Sequence, residues 1–77
     1  MSPDDLAAIA RALHGENNPY AIRSLADDLG VRHDAMRRVL NDRAEMPLGW
    51  PADVLALVER RAAELGELAA EIRRKVR

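Results

Sequence analysis

Residues 22–41 read IRSLADDLGVRHDAMRRVLN, and this stretch decides the fold. Leu25 and Leu29, four apart, and Met36 and Val39, three apart, fall at spacings that put each pair on the inner face of a short helix, with Gly30 and Val31 making the turn between the two. Ala26, beside Leu25, is small. Gly30 stands where the connection needs a left-handed backbone, a conformation that only glycine adopts cheaply. No proline and no charge falls in an inward slot.

Working outward, a first helix begins at Ser2, an N-cap followed by Pro3 and by Asp4 and Asp5, whose charges suit the positive end of the helix dipole. Leu6, Ile9, Ala10 and Leu13 line its inner face and Gly15 stops it. Asn18 then caps Pro19, opening a second helix that runs through Leu29. The third runs from about Arg32 to Asn41 or Asp42, with Ala35, Met36, Val39 and Leu40 inward. RAEMPLGW, residues 43–50, reads as a loop with room for one helical turn after Pro47. Pro51 starts the last helix, and Trp50 before it is read as a plug that sets that helix's approach angle, with a partner-binding anchor as the other reading.

The stretch from 22 to 41 resembles the helix-turn-helix segment of the lambda-repressor and Cro-like family of small phage and bacterial regulators, and the resemblance extends over about residues 20 to 60. It implies an all-α fold, a four- to five-helix domain with a long C-terminal dimerisation helix, in which the helix after the glycine enters the major groove of DNA. Residues 1–50 form the DNA-binding domain on this reading and residues 51–77 the amphipathic dimerisation element. A plain helical hairpin shares part of the spacing and is the bland alternative.

Carried over position by position, the resemblance assigns base reading to His33, Asp34 and Arg38, with Arg37 beside them. Arg23, Arg32, Asn41 and Arg43 fall to phosphate contact, and Asp27 and Asp28 face away from the DNA. Arg38 is the principal reader, because a guanidinium donates two parallel hydrogen bonds to O6 and N7 of guanine. Arg32 departs from the family's habit of a Ser or Thr cap, and Asp34 takes over that cap role, or else accepts from a cytosine amino group. Tyr20 either reaches a phosphate through its hydroxyl or covers the edge of the core.

Along the last helix, apolar or small residues recur at Leu55, Val58, Ala62, Leu65, Ala69, Ile72 and Val76 in alternating steps of three and four, a heptad seam with Leu68 beside it. A helix of this length is on the order of 40 Å long, more than so small a body spans. Its distal half therefore needs a partner, and a second copy of the chain is the expected one. Folding back over its own body, or fraying beyond Gly66, are the alternatives. Antiparallel pairing is mildly preferred: it sets small residues against large ones and brings Glu59 near Arg73 of the partner, although Arg61 then lies near Lys75. The terminal run Arg73 to Arg77 reads as a solvated helix end.

Composition narrows the function. Seventy-seven residues make one domain whose core supplies only marginal stability alone. Without cysteine there is no disulfide or thiolate metal site, and two scattered histidines make no zinc site, so neither metal nor cofactor is expected. No apolar run approaches the ~20 residues of a membrane span, and the start carries acids where a leader carries bases, so a cytoplasmic protein, nucleoid-associated when on DNA, is expected. The net charge of −1 argues against indiscriminate grip on nucleic acid; the local surplus lies in Arg32, Arg37, Arg38 and Arg43 against Asp34 and Asp42. No catalytic constellation is present, since Ser24 has no histidine in sequence reach and no phosphate-binding glycine loop occurs, so no enzyme is expected.

The function expected from these readings is sequence-specific binding of double-stranded DNA by a homodimeric transcriptional regulator, a repressor rather than an activator. Its operator is an inverted repeat with half-sites about 34 Å apart. Two rivals stand beside it. One is a small helical adaptor whose last helix binds another protein, and the other is an antitoxin-like module that joins both activities.

Overall fold

The computed structural model describes residues 1–76, and the described residues form four helices with no strand: α1 (Pro3–His14), α2 (Ala21–Leu29), α3 (His33–Leu40) and α4 (Trp50–Lys75). Arg77, the last of the terminal basic run, lies outside them. The chain is therefore all-α, and the turn after Pro47 stays a turn, with the Trp50 amide donating to the Pro47 carbonyl, so no fifth helix forms.

Helix α1 starts as its sequence dictates. The Ser2 hydroxyl accepts from the Asp5 amide at 3.2 Å and the Asp5 carboxylate accepts from the Ser2 amide at 2.8 Å, a reciprocal capping box with Pro3 in the first helical position. Gly15, at φ 111°, ends the helix. Asn18 then serves two backbone groups, donating from Nδ2 to the His14 carbonyl and accepting at Oδ1 from the Tyr20 amide at 2.9 Å. With the Ala21 amide also donating to the Asn18 carbonyl, residues 18–21 form a turn, and α2 proper begins at Ala21 and not at Pro19, with Tyr20 as its N-cap. His14 also pairs with Asp28 at 2.6 Å, tying the end of α1 to the outer side of α2.

The ends of α2 and α3 use one device. Gly30, at φ 69°, is left-handed, its amide donating to the Asp27 carbonyl and the Val31 amide to Ala26. At the end of α3 the Asp42 amide donates to Val39 and the Arg43 amide to Arg38, with Asp42 at φ 56°. Asp42 thus occupies a backbone region where glycine is favoured, and the helix stops at Leu40, one residue before the range read from the sequence.

Each helix contributes to one core: Leu6 and Ala10 from α1, Ala21, Leu25 and Ala26 from α2, Met36 and Val39 from α3, and Trp50, Val54 and Leu57 from α4. Ile9, Leu13, Leu29, Val31 and Leu40 pack at its margin. Trp50 is buried, so it acts as the plug rather than as an exposed anchor. No polar side chain is buried among the described residues. Helix α4 packs against α2 and makes no close approach to α1 or α3.

The heptad seam of α4 is not the stripe that packs on the body. Val54 and Leu57, outside the heptad seam, are the residues that meet the body, whereas Leu55 and Val58 stay exposed. From there α4 runs unbroken through Gly66 to Lys75, neither folding back nor breaking, and gives the molecule a long dimension of 52 Å against 25 and 18 Å. Leu65, Leu68, Ile72 and Val76 are each more than half exposed along this projecting part.

Two outcomes follow. Gly30→Ala should cost roughly 1–2 kcal/mol in urea unfolding, from backbone conformation alone, because the space around the added methyl is open; Asp42→Gly should shift stability the other way by less than about 1 kcal/mol. The Ser2 backbone N–H and hydroxyl, helped by the N-terminal ammonium, hold the Asp5 carboxyl below its ordinary value of 3.8. A carboxyl lowered in the folded state stabilises above its ordinary value and stops doing so as pH falls through the folded one. The stability difference between the unaltered chain and Asp5→Asn should therefore be present at neutral pH and vanish in strong acid, as read by thermal unfolding across that range.

Candidate nucleic-acid interface

Helix α3 is eight residues long, and its period sorts them cleanly. Met36 and Val39 point into the core, which leaves Asp34, Arg37, Arg38 and the C-cap Asn41 at spacings of three and four on the opposite face. The left-handed Asp42 then turns the chain back so that Arg43 joins them. These five residues line one open concavity of about 230 Å³, and all five are exposed.

The charges there are uncommitted. Among the described residues the ion pairs are Arg11 with Glu16, His14 with Asp28 and Lys75 with Glu71, and none involves Arg23, Arg32, Arg37, Arg38 or Arg43. Three guanidinium groups against one carboxylate leave a local surplus of positive charge on a chain whose total is −1. An unpaired surface arginine keeps its planar fork of donors available for a phosphate or a base edge.

The other residues expected at the site stand apart from this concavity. His33 is the first residue of α3 and half-buried, Arg32 is its exposed N-cap, and Arg23 is exposed on α2; none lines the concavity. Asp34 lies in the first turn of α3, as expected, and the N-cap Arg32 makes no side-chain cap hydrogen bond. A hydrogen-bonding cap comes from the non-helical residue before the first turn, and Asp34 is already inside the helix. Its carboxylate still suits the positive end of α3 and lies at the edge of the arginine cluster. Tyr20 is 63% exposed, which removes the reading that it covers the core. Asp27 and Asp28 are exposed on α2 outside the concavity, Asp28 being held by His14.

No group of three or more His, Cys, Asp or Glu side chains that could hold a metal occurs among the described residues, and no described helix is long and apolar enough to cross a membrane. The chain matches no protein-family model, no curated protein and no solved structure.

Since Arg37 and Arg43 are exposed and unpaired, replacing either by alanine should change unfolding free energy by no more than about 0.5 kcal/mol. A larger loss would give them a structural role that their surroundings do not contain.

Proposed function

We propose that this chain is a sequence-specific double-stranded-DNA-binding protein of the lambda-repressor-like helix-turn-helix type, acting as a homodimeric transcriptional regulator, a repressor rather than an activator. The observation that carries the proposal is the cluster of exposed, unpaired arginines on the outer face of a short helix that follows a left-handed glycine turn, with α4 packed elsewhere. An eight-residue helix with its apolar side buried fits the major groove, which is about 12 Å wide.

In this reading Arg38 donates to O6 and N7 of a guanine, worth about 1–3 kcal/mol of discrimination in each half-site. Arg37 reads an adjacent edge, while Arg43, Asn41 and, further out, Arg23 and Arg32 fix the helix on phosphates. Asp34 beside Arg38 disfavours registers that bring a phosphate against it. The overall charge of −1 keeps nonspecific binding weak, so selectivity rests on the local cluster.

The exposed apolar stripe of α4 supports a second reading, an adaptor or antitoxin-like module that holds a different protein there. Salt separates the two. With roughly six phosphate contacts in a dimer, log K for duplex DNA should fall with log salt at a slope of about −5, and Arg43→Ala should flatten it by about 2, one contact in each half-site. Arg38→Ala should bind selected and random duplex alike in an anisotropy titration. Retained discrimination would remove Arg38 from the reading face, and no saturable duplex binding at low salt would leave the adaptor.

A further inference from the structure

We infer that α4 pairs with α4 of a second copy of this chain in antiparallel fashion, about a two-fold axis between Gly66 and Leu68, so that both α3 helices face one side about one turn of duplex apart. This rests on the homodimer reading above and adds its direction, register and geometry. The occupant of the exposed stripe is a second copy because the stripe complements itself in one arrangement. With the midpoint at Glu67, Ala62 lies opposite Ile72 of the second copy, Leu65 opposite Ala69, and Val58 opposite Val76, so large side chains meet small ones along the central layers. Glu59 then lies beside Arg73 of the second copy, twice over by symmetry. The one like-charge approach, Arg61 with Lys75, is moderated because Lys75 is already paired with Glu71 at 3.5 Å. Parallel pairing gathers Arg73, Arg74 and Lys75 of both copies at one end and leaves Glu59 with no opposite charge across the seam.

The same register accounts for two residues that nothing else in the fold explains. Gly66 lies in the middle of α4 without a positive φ and with open space around its missing Cβ, a placement that costs about 1 kcal/mol relative to alanine for no local benefit. At the two-fold axis it faces its own copy and lets the helices approach. Leu68, 51% exposed and off the heptad seam, meets Leu68 of the second copy on the other edge of the axis.

The anchoring residues Val54 and Leu57 sit about 12 residues from the midpoint, about 17 Å along the helix, which sets the two bodies about 35 Å apart. That is the separation of half-sites one duplex turn apart. The face of α4 that carries Trp50, Val54, Leu57 and Arg61 is roughly 80° around the helix from the seam. The two-fold axis of an antiparallel pair runs perpendicular to the plane of its helices, so both bodies lie on the same side of the pair. Helix α3 packs on α1 and α2 and makes no close backbone approach to α4, so α4 leaves its outer, arginine-bearing face uncovered.

The chain contains no cysteine, so single cysteines can be introduced without background. Ala62→Cys and Ile72→Cys, oxidised separately, should remain uncrosslinked, and an equimolar mixture should form a disulfide-linked heterodimer on a non-reducing gel. Crosslinking of each variant with itself but not with the other would establish parallel pairing and overturn the inference. Sedimentation of the unaltered chain as a monomer at about 100 µM, with no crosslink in the mixture, would overturn it too. Glu59→Arg should weaken the dimer roughly fivefold and Arg73→Glu in the same chain should restore it. The crosslinked heterodimer should bind an inverted repeat with half-site centres one turn apart and lose that binding when five base pairs are inserted. Loss of all duplex binding with the crosslink intact would sink the DNA reading alone and leave the pairing standing.

Discussion

The left-handed turn at Gly30 governs most of what this molecule presents to its surroundings. It satisfies the last carbonyls of α2 within three residues and redirects the chain so that α3 meets the core through Met36 and Val39. With those two side chains buried, the helical period leaves little choice about the rest: Asp34, Arg37, Arg38 and Asn41 face outward together. A β-carbon at that turn would meet no neighbour, so the constraint is one of backbone conformation and not of crowding. Asp42 repeats the device at the other end of α3 and brings Arg43 to the same face. The period of α3 thus gathers four of these residues, and the turn at Asp42 adds Arg43, which a straight continuation of α3 would carry to the Met36 and Val39 side.

Charge placement matters more here than charge total. Acids and bases nearly cancel over the chain, and the ion pairs among the described residues, Arg11 with Glu16, Lys75 with Glu71 and His14 with Asp28, all lie outside α3, although Arg60, Arg61, Arg73 and Arg74 on α4 are in none either. Those around α3 are left unpaired, which costs little at an exposed surface and leaves their donors free. A polyanion attracted to such a surface meets a concentrated local field in an otherwise nearly neutral molecule. That pattern suits the proposed recognition of a particular duplex site better than a general affinity for nucleic acid.

The core is small, built from ten buried residues without a polar group among them, and α4 leaves much apolar surface outside it. A projecting helix with a more than half-exposed leucine and isoleucine stripe departs from what an isolated monomer keeps exposed. Self-pairing along that stripe would at once extend a marginal core and fix the distance between two copies of the arginine cluster. Stability and spacing would then depend on the same residues.

Much of the fold was legible in the chain. The capping box at Ser2 and Asp5, the Gly15 stop, the Gly30 turn, the inward faces of α1 to α3 and the burial of Trp50 all follow from local chemistry and period, which act within a few residues. What stayed illegible depends on direction in space. Asn18 does accept from the Tyr20 amide as a cap would, yet the Ala21 amide donates to its carbonyl and closes a turn, so the helix proper starts two residues after Pro19. The heptad seam was a true period, but only packing on α2 selects Val54 and Leu57 as the residues that touch the body and leaves Leu55 and Val58 free. Likewise, sequence alone put eight residues near one surface, and the period of α3 with the turn at Asp42 gathers five of them while leaving His33, Arg32 and Arg23 aside. The chain by itself determined where helices start, stop and turn, because those choices are settled by hydrogen bonds and dihedral preferences within a single turn. Which stripe of α4 is covered, and which face of α3 is buried so that Arg37 and Arg38 point outward, was decided only when helices distant in sequence came into contact.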